Sequence, residues 1–249
     1  MNKSKIEWTD YTWNPVVGCL HGCEFCYAKR INKRFGDGRF LPTFYPKRLS
    51  EPLAIRKPSR IFVGSMADLF GDWDWEAEDD YYTRGIVVCE ILKIVRQYLQ
   101  HTFIFLTKNP RGMQDFDFPD NCWCGASVEN QEKADERIPE LLRVKCGTLF
   151  ASYEPALGPV NFRNIPIHSG GVLDALKGID TAVQMHYVGK LAWLIIGAQT
   201  GPGAVKSDCH WIYNAIGQAV NANVPVFVKD NVNWHEQIRE WPEGVEPCV

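Results

Sequence analysis

The chain has 249 residues, 45% hydrophobic and 23% charged, enough length for one large α/β domain or two small ones with a buried core. A formal net charge of −3 at pH 7 excludes a generic polyanion binder and leaves room only for a local basic face. The start, MNKSKIEWTDYTW, has no apolar run suited to a secretion signal, and no stretch reaches the roughly 18 apolar residues that span a bilayer; the expectation is a soluble, cytoplasmic chain without a membrane partner.

In chain order, a short strand is expected near 11–18. GCLHGCEFCYAKR (18–30) comes at once after it and sets Cys19, Cys23 and Cys26 in a C-x3-C-x2-C arrangement. Two basic clusters come next, KRINKR (29–34) and PKRLSEPLAIRKPSR (46–60), interleaved with Phe40, Phe44 and Tyr45. Such a mixture suits phosphates and bases, although basic runs are more often a solvated face, and the acidic GDWDWEAEDDYY (71–82) offsets them. The apolar runs at 60–70, 102–110, 123–130, 148–155, 191–204 and 224–231 are short and bounded by Gly, Pro, Ser and Asn, which reads as buried parallel strands.

Helical patterns lie between them. Residues 81–100 put Ile86, Cys89, Ile91, Leu92 and Val95 near one face. Residues 130–144 are charged and interrupted by Pro139, and 207–224 form another helix ended by Asn-rich turn residues. Alternation of this kind is the mark of βαβ units. The expectation is an α/β fold, a partial (β/α) barrel of about six to seven parallel strands. It is a single domain over 1–249 with an insertion around 161–190. In such a fold the polar residues after each strand gather at one rim. That rim would hold the three cysteines with Ser65, Asp68, Thr107, Lys108, Ser127, Glu129, Asn130, Glu154, Gln199, Thr200, Lys229 and Asp230.

Nine cysteines are an odd number for a disulfide framework, and the scattered Cys89, Cys146, Cys209 and Cys248 read as small buried residues. The crowded three point to a metal. Zinc needs four closed ligands, which His21 or the pair Cys122 and Cys124 would have to complete. Three thiolates from one loop can instead wrap three irons of an iron–sulfur cluster and leave the fourth open.

With Phe25 before the last cysteine, this loop resembles that of the radical S-adenosylmethionine superfamily. The segments EWTDYTWNPVVGC, FVGSMADLF, FIFLTKNPRGM, GASVENQ, LFASYEPALGPV and LIIGAQTGPGA make the whole chain similar to a family of phage and prophage proteins of that type. The resemblance implies a [4Fe–4S] cluster on Cys19, Cys23 and Cys26 and S-adenosylmethionine on its open iron. It also implies an external electron donor and hydrogen abstraction from substrate by a 5′-deoxyadenosyl radical. VGSMAD stands where the superfamily has a GGE-like stretch, so Gly64, Ser65 and Met66 would meet the cofactor's amine through backbone carbonyls. Ser127 and Glu129 would take its ribose or carboxylate, Gly197 and Gln199 its adenine, and Phe25 or Tyr27 would pack on that ring. Glu154, Asp68 and Lys108 are the catalytic candidates; a plain rim salt bridge from Glu154 to Lys108 or Lys229 is the simpler alternative. The phage setting favours DNA or a modified nucleotide as partner, through rearrangement or trimming of a modified pyrimidine by an isomerase or lyase in the host cytoplasm. A zinc-stabilised binding module, or an inactive barrel kept for protein contacts, are the competing readings.

Overall fold

Each short apolar run becomes one strand, and the strands assemble in the order in which the chain makes them. In the computed structural model, which describes residues 1–77, 80–167, 170–180, 185–186 and 189–242, β1 (Asn2–Lys3) pairs antiparallel with β2 (Tyr11–Trp13). Then β3 (Arg60–Val63), β4 (Thr102–Thr107), β5 (Cys122–Val128), β6 (Thr148–Tyr153), β7 (Leu191–Ile196) and β8 (Val226–Val228) add in turn, each parallel to the one before. All seven expected strands are present, and β1 is an unforeseen edge.

Right-handed crossovers in a sheet of sequential order put every connection on one face. Helices α2 (Arg84–Gln97), α3 (Gln131–Leu141) and α4 (Cys209–Asn221) accordingly share a core with one face of the strands, through residues such as Ile91, Ile138, Ala215, Phe105, Ala151 and Ile196. Among the described residues the cluster on the other face takes in no helix residue, and that face buries itself by curling. Phe62, Ile104, Trp123, Phe150, Trp193 and Phe227, from six strands, meet in a second cluster with Trp8. The Trp8 ring is 4.9 Å from Phe62 on β3 and 6.4 Å from Trp193 on β7. Flat strands would hold β3 and β7 about 19 Å apart.

The curl stops short of a closed barrel, since among the described residues no ladder joins the first strand to the last. Residues 238–241 cover the free edge of β8, where Val228 N donates to Ile238 O and Glu240 N to Val226 O. The gap is spanned by side chains. Arg239 bonds Glu7 at 2.6 Å, and the Arg60 guanidinium lies 4.0 Å over the Trp241 ring.

Several expectations need correction. Helix α2 buries Val87, Val88, Ile91, Leu92 and Val95, whereas Ile86 and Cys89 are exposed. Helix α3 runs through Pro139, which falls in its last turn and forfeits one i→i−4 bond there. Cys209 is also exposed, and Cys248 lies outside the described residues. The expected insertion contains a four-stranded antiparallel sheet of Ile165–Pro166, Val172–Asp174, Ile179–Asp180 and Met185–His186, with 168–169, 181–184 and 187–188 outside the described residues. The basic segment after the cysteines is a helix, α1 (Tyr27–Phe35), which the sequence pattern did not announce.

Candidate functional site

Strand periodicity builds the site. Side chains alternate between faces, so the inward series on each strand can be traced to its C-terminal end: Ile104, Leu106, Lys108 on β4; Trp123, Gly125, Ser127, Glu129 on β5; Phe150, Ser152, Glu154 on β6; Phe227, Lys229 on β8. Aromatic residues fill the lower turns and charged ones stand at the top. Between them is a cavity of about 430 Å³. Ile6, Trp8, Phe62 and Leu106 give it an apolar base, while Lys108, Ser127, Ser152, Glu154 and Lys229 line its strand-end wall. Gly125 lets this happen: a Cβ there would stand 2.3 Å from the Phe150 ring.

The cysteine loop forms the opposite wall. Gly18 starts it at φ +96°, and a Cβ on Gly18 would lie 2.0 Å from Leu41 O, so only glycine fits. Gly18 N donates to Met66 O and Cys19 N to Phe40 O, fastening the loop to two neighbouring segments. Cys26 caps α1, its Sγ accepting from Lys29 N at 3.4 Å. Cys19, Cys23 and Cys26 all line the cavity as free thiols. Burial pushes the Cys19 thiol up to about 12, against a bond from the His21 amide. Burial raises Cys23 as well, opposed by the charge of Lys108.

The donor set tests which metal would fit. Among the described residues the group of three whose possible ligand atoms all lie within 4.8 Å of one another is Asp208, Cys209 and His210, exposed at the start of α4. A closed zinc site takes four ligands. An iron–sulfur cube can take three thiolates and keep its fourth iron open, and the three thiols of the cysteine loop are such a set. Cys122 and Cys124 cannot complete a zinc site with it, because both are buried on the helix-facing side of β5.

Asp68, expected as a catalytic group, is instead saturated. It accepts from Thr107 Oγ1 at 2.7 Å, Lys108 N at 2.8 Å and Phe70 N at 3.1 Å, and His21 Nε2 lies 2.7 Å away. Burial alone would raise its pKa, but His21 and these donors hold the carboxyl below its usual range. Asp68 thus ties the cysteine loop to the end of β4. Glu129 is also withdrawn from the cavity, clamped between Lys108 and Arg137, whose Nη1 is 3.0 Å from it. Lys108 lines the cavity with its ammonium 5.2 Å from the centre of the Phe25 ring. Glu154 pairs with Lys229, so the simpler of the two readings for Glu154 describes its resting partner. Asn130 caps α3 by accepting from Lys133 N at 3.0 Å, and Asp230 sits outside the cavity in the bonding to Arg239.

The remaining expected residues divide. Phe25, Tyr27, Gly64, Ser65, Ser127 and Gln199 line the cavity; Met66 and Gly197 do not. The carbonyls expected to serve from Gly64, Ser65 and Met66 already accept from Ala67 N, Tyr27 OH and Gly18 N. Gly197 serves by absence: a Cβ would fall 2.5 Å from Glu154 Cδ. Trp8, Phe40, Phe62 and Ser152 were missed. Counting back by two from Lys108, Glu154 and Lys229 would have found the inward series, but not Trp8, which lies before β2.

The model of a family described as protein of unknown function (DUF5131) matches residues 3–243. The chain belongs to that family. The match takes in β2 to β8 and the whole cysteine loop. No curated protein and no solved structure matches the chain.

Proposed function

We propose that this chain is a radical S-adenosylmethionine enzyme. In this reading the curled sheet is a partial (β/α) barrel of that kind, and Cys19, Cys23 and Cys26 hold a [4Fe–4S] cluster. The observation that carries the proposal is three free thiols on one loop, lining a cavity at the C-terminal ends of parallel strands. When bound, the cluster would pass one electron from an external donor to S-adenosylmethionine, giving methionine and a 5′-deoxyadenosyl radical able to take a hydrogen atom from substrate.

The chain's own residues have separate tasks in this account. Trp8, Phe62 and Leu106 exclude water from the base of the cavity, which protects reactive species from quenching. Tyr27, anchored by its hydroxyl on Ser65 O, offers the cavity a flat face, and Gln199 offers it an amide. Ser127 and Ser152 present hydroxyls, and the Lys229–Glu154 pair supplies the donor and acceptor for a polar substrate group. The ammonium of Lys108, next to Cys23, favours added negative charge on the loop. Eight free cysteines among the described residues suit a reducing, cytoplasmic compartment.

The test is anaerobic reconstitution with iron and sulfide, then addition of S-adenosylmethionine and a strong reductant. Release of 5′-deoxyadenosine, lost in Cys26→Ala, is the expected result. A colourless protein with one zinc per chain and no cleavage overturns the proposal in favour of a zinc-stabilised module. The expected substrate class, a base in DNA or a modified nucleotide, belongs to this proposal and turns on the surface around the mouth.

A further inference from the structure

We propose that α1 forms a docking surface for single-stranded nucleic acid at the mouth of the cavity. Helix α1 has nine residues and buries only Ala28. Tyr27, Ile31 and Phe35 recur at four-residue steps and so share one face. They are 43%, 43% and 76% exposed. An amphipathic helix ordinarily turns such a stripe toward a core; here Ile31 and Phe35 look outward, while Tyr27, bonded to Ser65 O, stands at the cavity's edge. Beside it stand Arg30 and Arg34, and beyond them Lys29 and Lys33, all exposed and again paired four residues apart. The helix carries those four cations and no acid.

Position ties this surface to the site. Cys26, Tyr27 and Ala28 line the cavity, so the stripe starts at its edge and runs away from it for the length of α1, about 13 Å. Arg30 holds the helix in place by donating to Thr200 O at 3.0 Å, and the Arg34 guanidinium is 5.1 Å from the Phe35 ring. Among the described residues Lys29 and Lys33 have no carboxylate partner.

Charge complementarity selects a polyanion, and the aromatic stripe selects which one. Unpaired bases expose π faces that stack on Tyr and Phe while phosphates meet Lys and Arg; a duplex hides those faces, and an acidic protein lacks them. With the chain at −3 overall, attraction is confined to this face. The proposal rests on the radical-enzyme reading only for the step after docking, the entry of one base into the cavity. Binding itself requires no cofactor.

Fluorescence anisotropy of the full chain tests it, with a labelled DNA strand of about 20 nucleotides, the matching duplex, and poly-glutamate of equal charge. The strand is expected to bind about tenfold more tightly than either comparator. Phe35→Ala should weaken strand binding about tenfold and leave poly-glutamate binding unchanged. Lys29→Ala with Lys33→Ala should reduce the salt dependence, d log K/d log [salt], by about 1.4 in magnitude. All three side chains are exposed, so the fold should persist, which circular dichroism checks. Equal affinity for poly-glutamate, tighter binding of duplex, or variants that bind like the parent would overturn the proposal. Strand binding without cleavage of S-adenosylmethionine would count against the enzymatic reading alone, and cleavage without strand binding against the docking surface alone.

Discussion

Asp68 shows how a residue with the attributes of a catalyst can be an anchor. Its carboxylate is buried, central and close to the cysteine loop, yet every lone pair it could offer a substrate is engaged by Thr107, Lys108, Phe70 or His21. Because its folded pKa lies below the unfolded value, protonation favours the unfolded chain. Its contribution is therefore complete above about pH 4 and lost as the pH falls from there through the folded pKa. Urea unfolding should show Asp68→Asn destabilised by about 2–3 kcal/mol at pH 7, with a shallower loss of stability in acid than the parent. Identical acid limbs would mean that Asp68 bears no such burden. From the sequence, Glu129 looked like a rim group open to a ligand, and Asp68 like either a catalytic group or a cap of the segment after it. Apart from the Phe70 amide, what binds them comes from the cysteine loop, the end of β4 and Arg137 on α3, and such pairings over 8 to 47 residues leave no local trace.

At the scale of elements, the readable parts were those with a period. Strands β3 to β8 are buried on both faces, which makes each a continuous apolar run bounded by turn residues, and the cysteine spacing was visible for the same reason of local order. Helix α1 was hidden because its single buried residue gives no inward stripe, and the apolar residues it has face outward. The role of Gly197 was equally hidden, since it exists only through Glu154 on the adjacent strand. Gly197→Ala should push Glu154 off Lys229 and, if the chain is the proposed enzyme, lower its turnover about tenfold, while the unfolding midpoint drops modestly, as overpacking costs about 1–3 kcal/mol. Full activity in that variant would show that the Glu154–Lys229 pair has no part in the chemistry.

The large sheet curls without closing, and its seam is held by side chains from β3 and from segments near both ends of the described chain. Glu7, Arg60, Arg239 and Trp241 meet there, and Trp241 also stacks on Trp193 with 5.1 Å between ring centres. Trp241→Ala should cost about 3 kcal/mol in a single unfolding transition, because it opens the seam and the aromatic interior together. A loss under about 0.5 kcal/mol, the size of an ordinary surface change, would mean that the seam is not a structural closure. The three thiols and the strand-end residues line one cavity, and on that arrangement the functional account stands. Its most direct measurement is the electron paramagnetic resonance spectrum of the reconstituted, reduced chain before and after addition of S-adenosylmethionine. The account predicts a [4Fe–4S]⁺ signal that changes on addition and is absent in Cys26→Ala; a signal indifferent to S-adenosylmethionine, or no cluster signal at all, would contradict it.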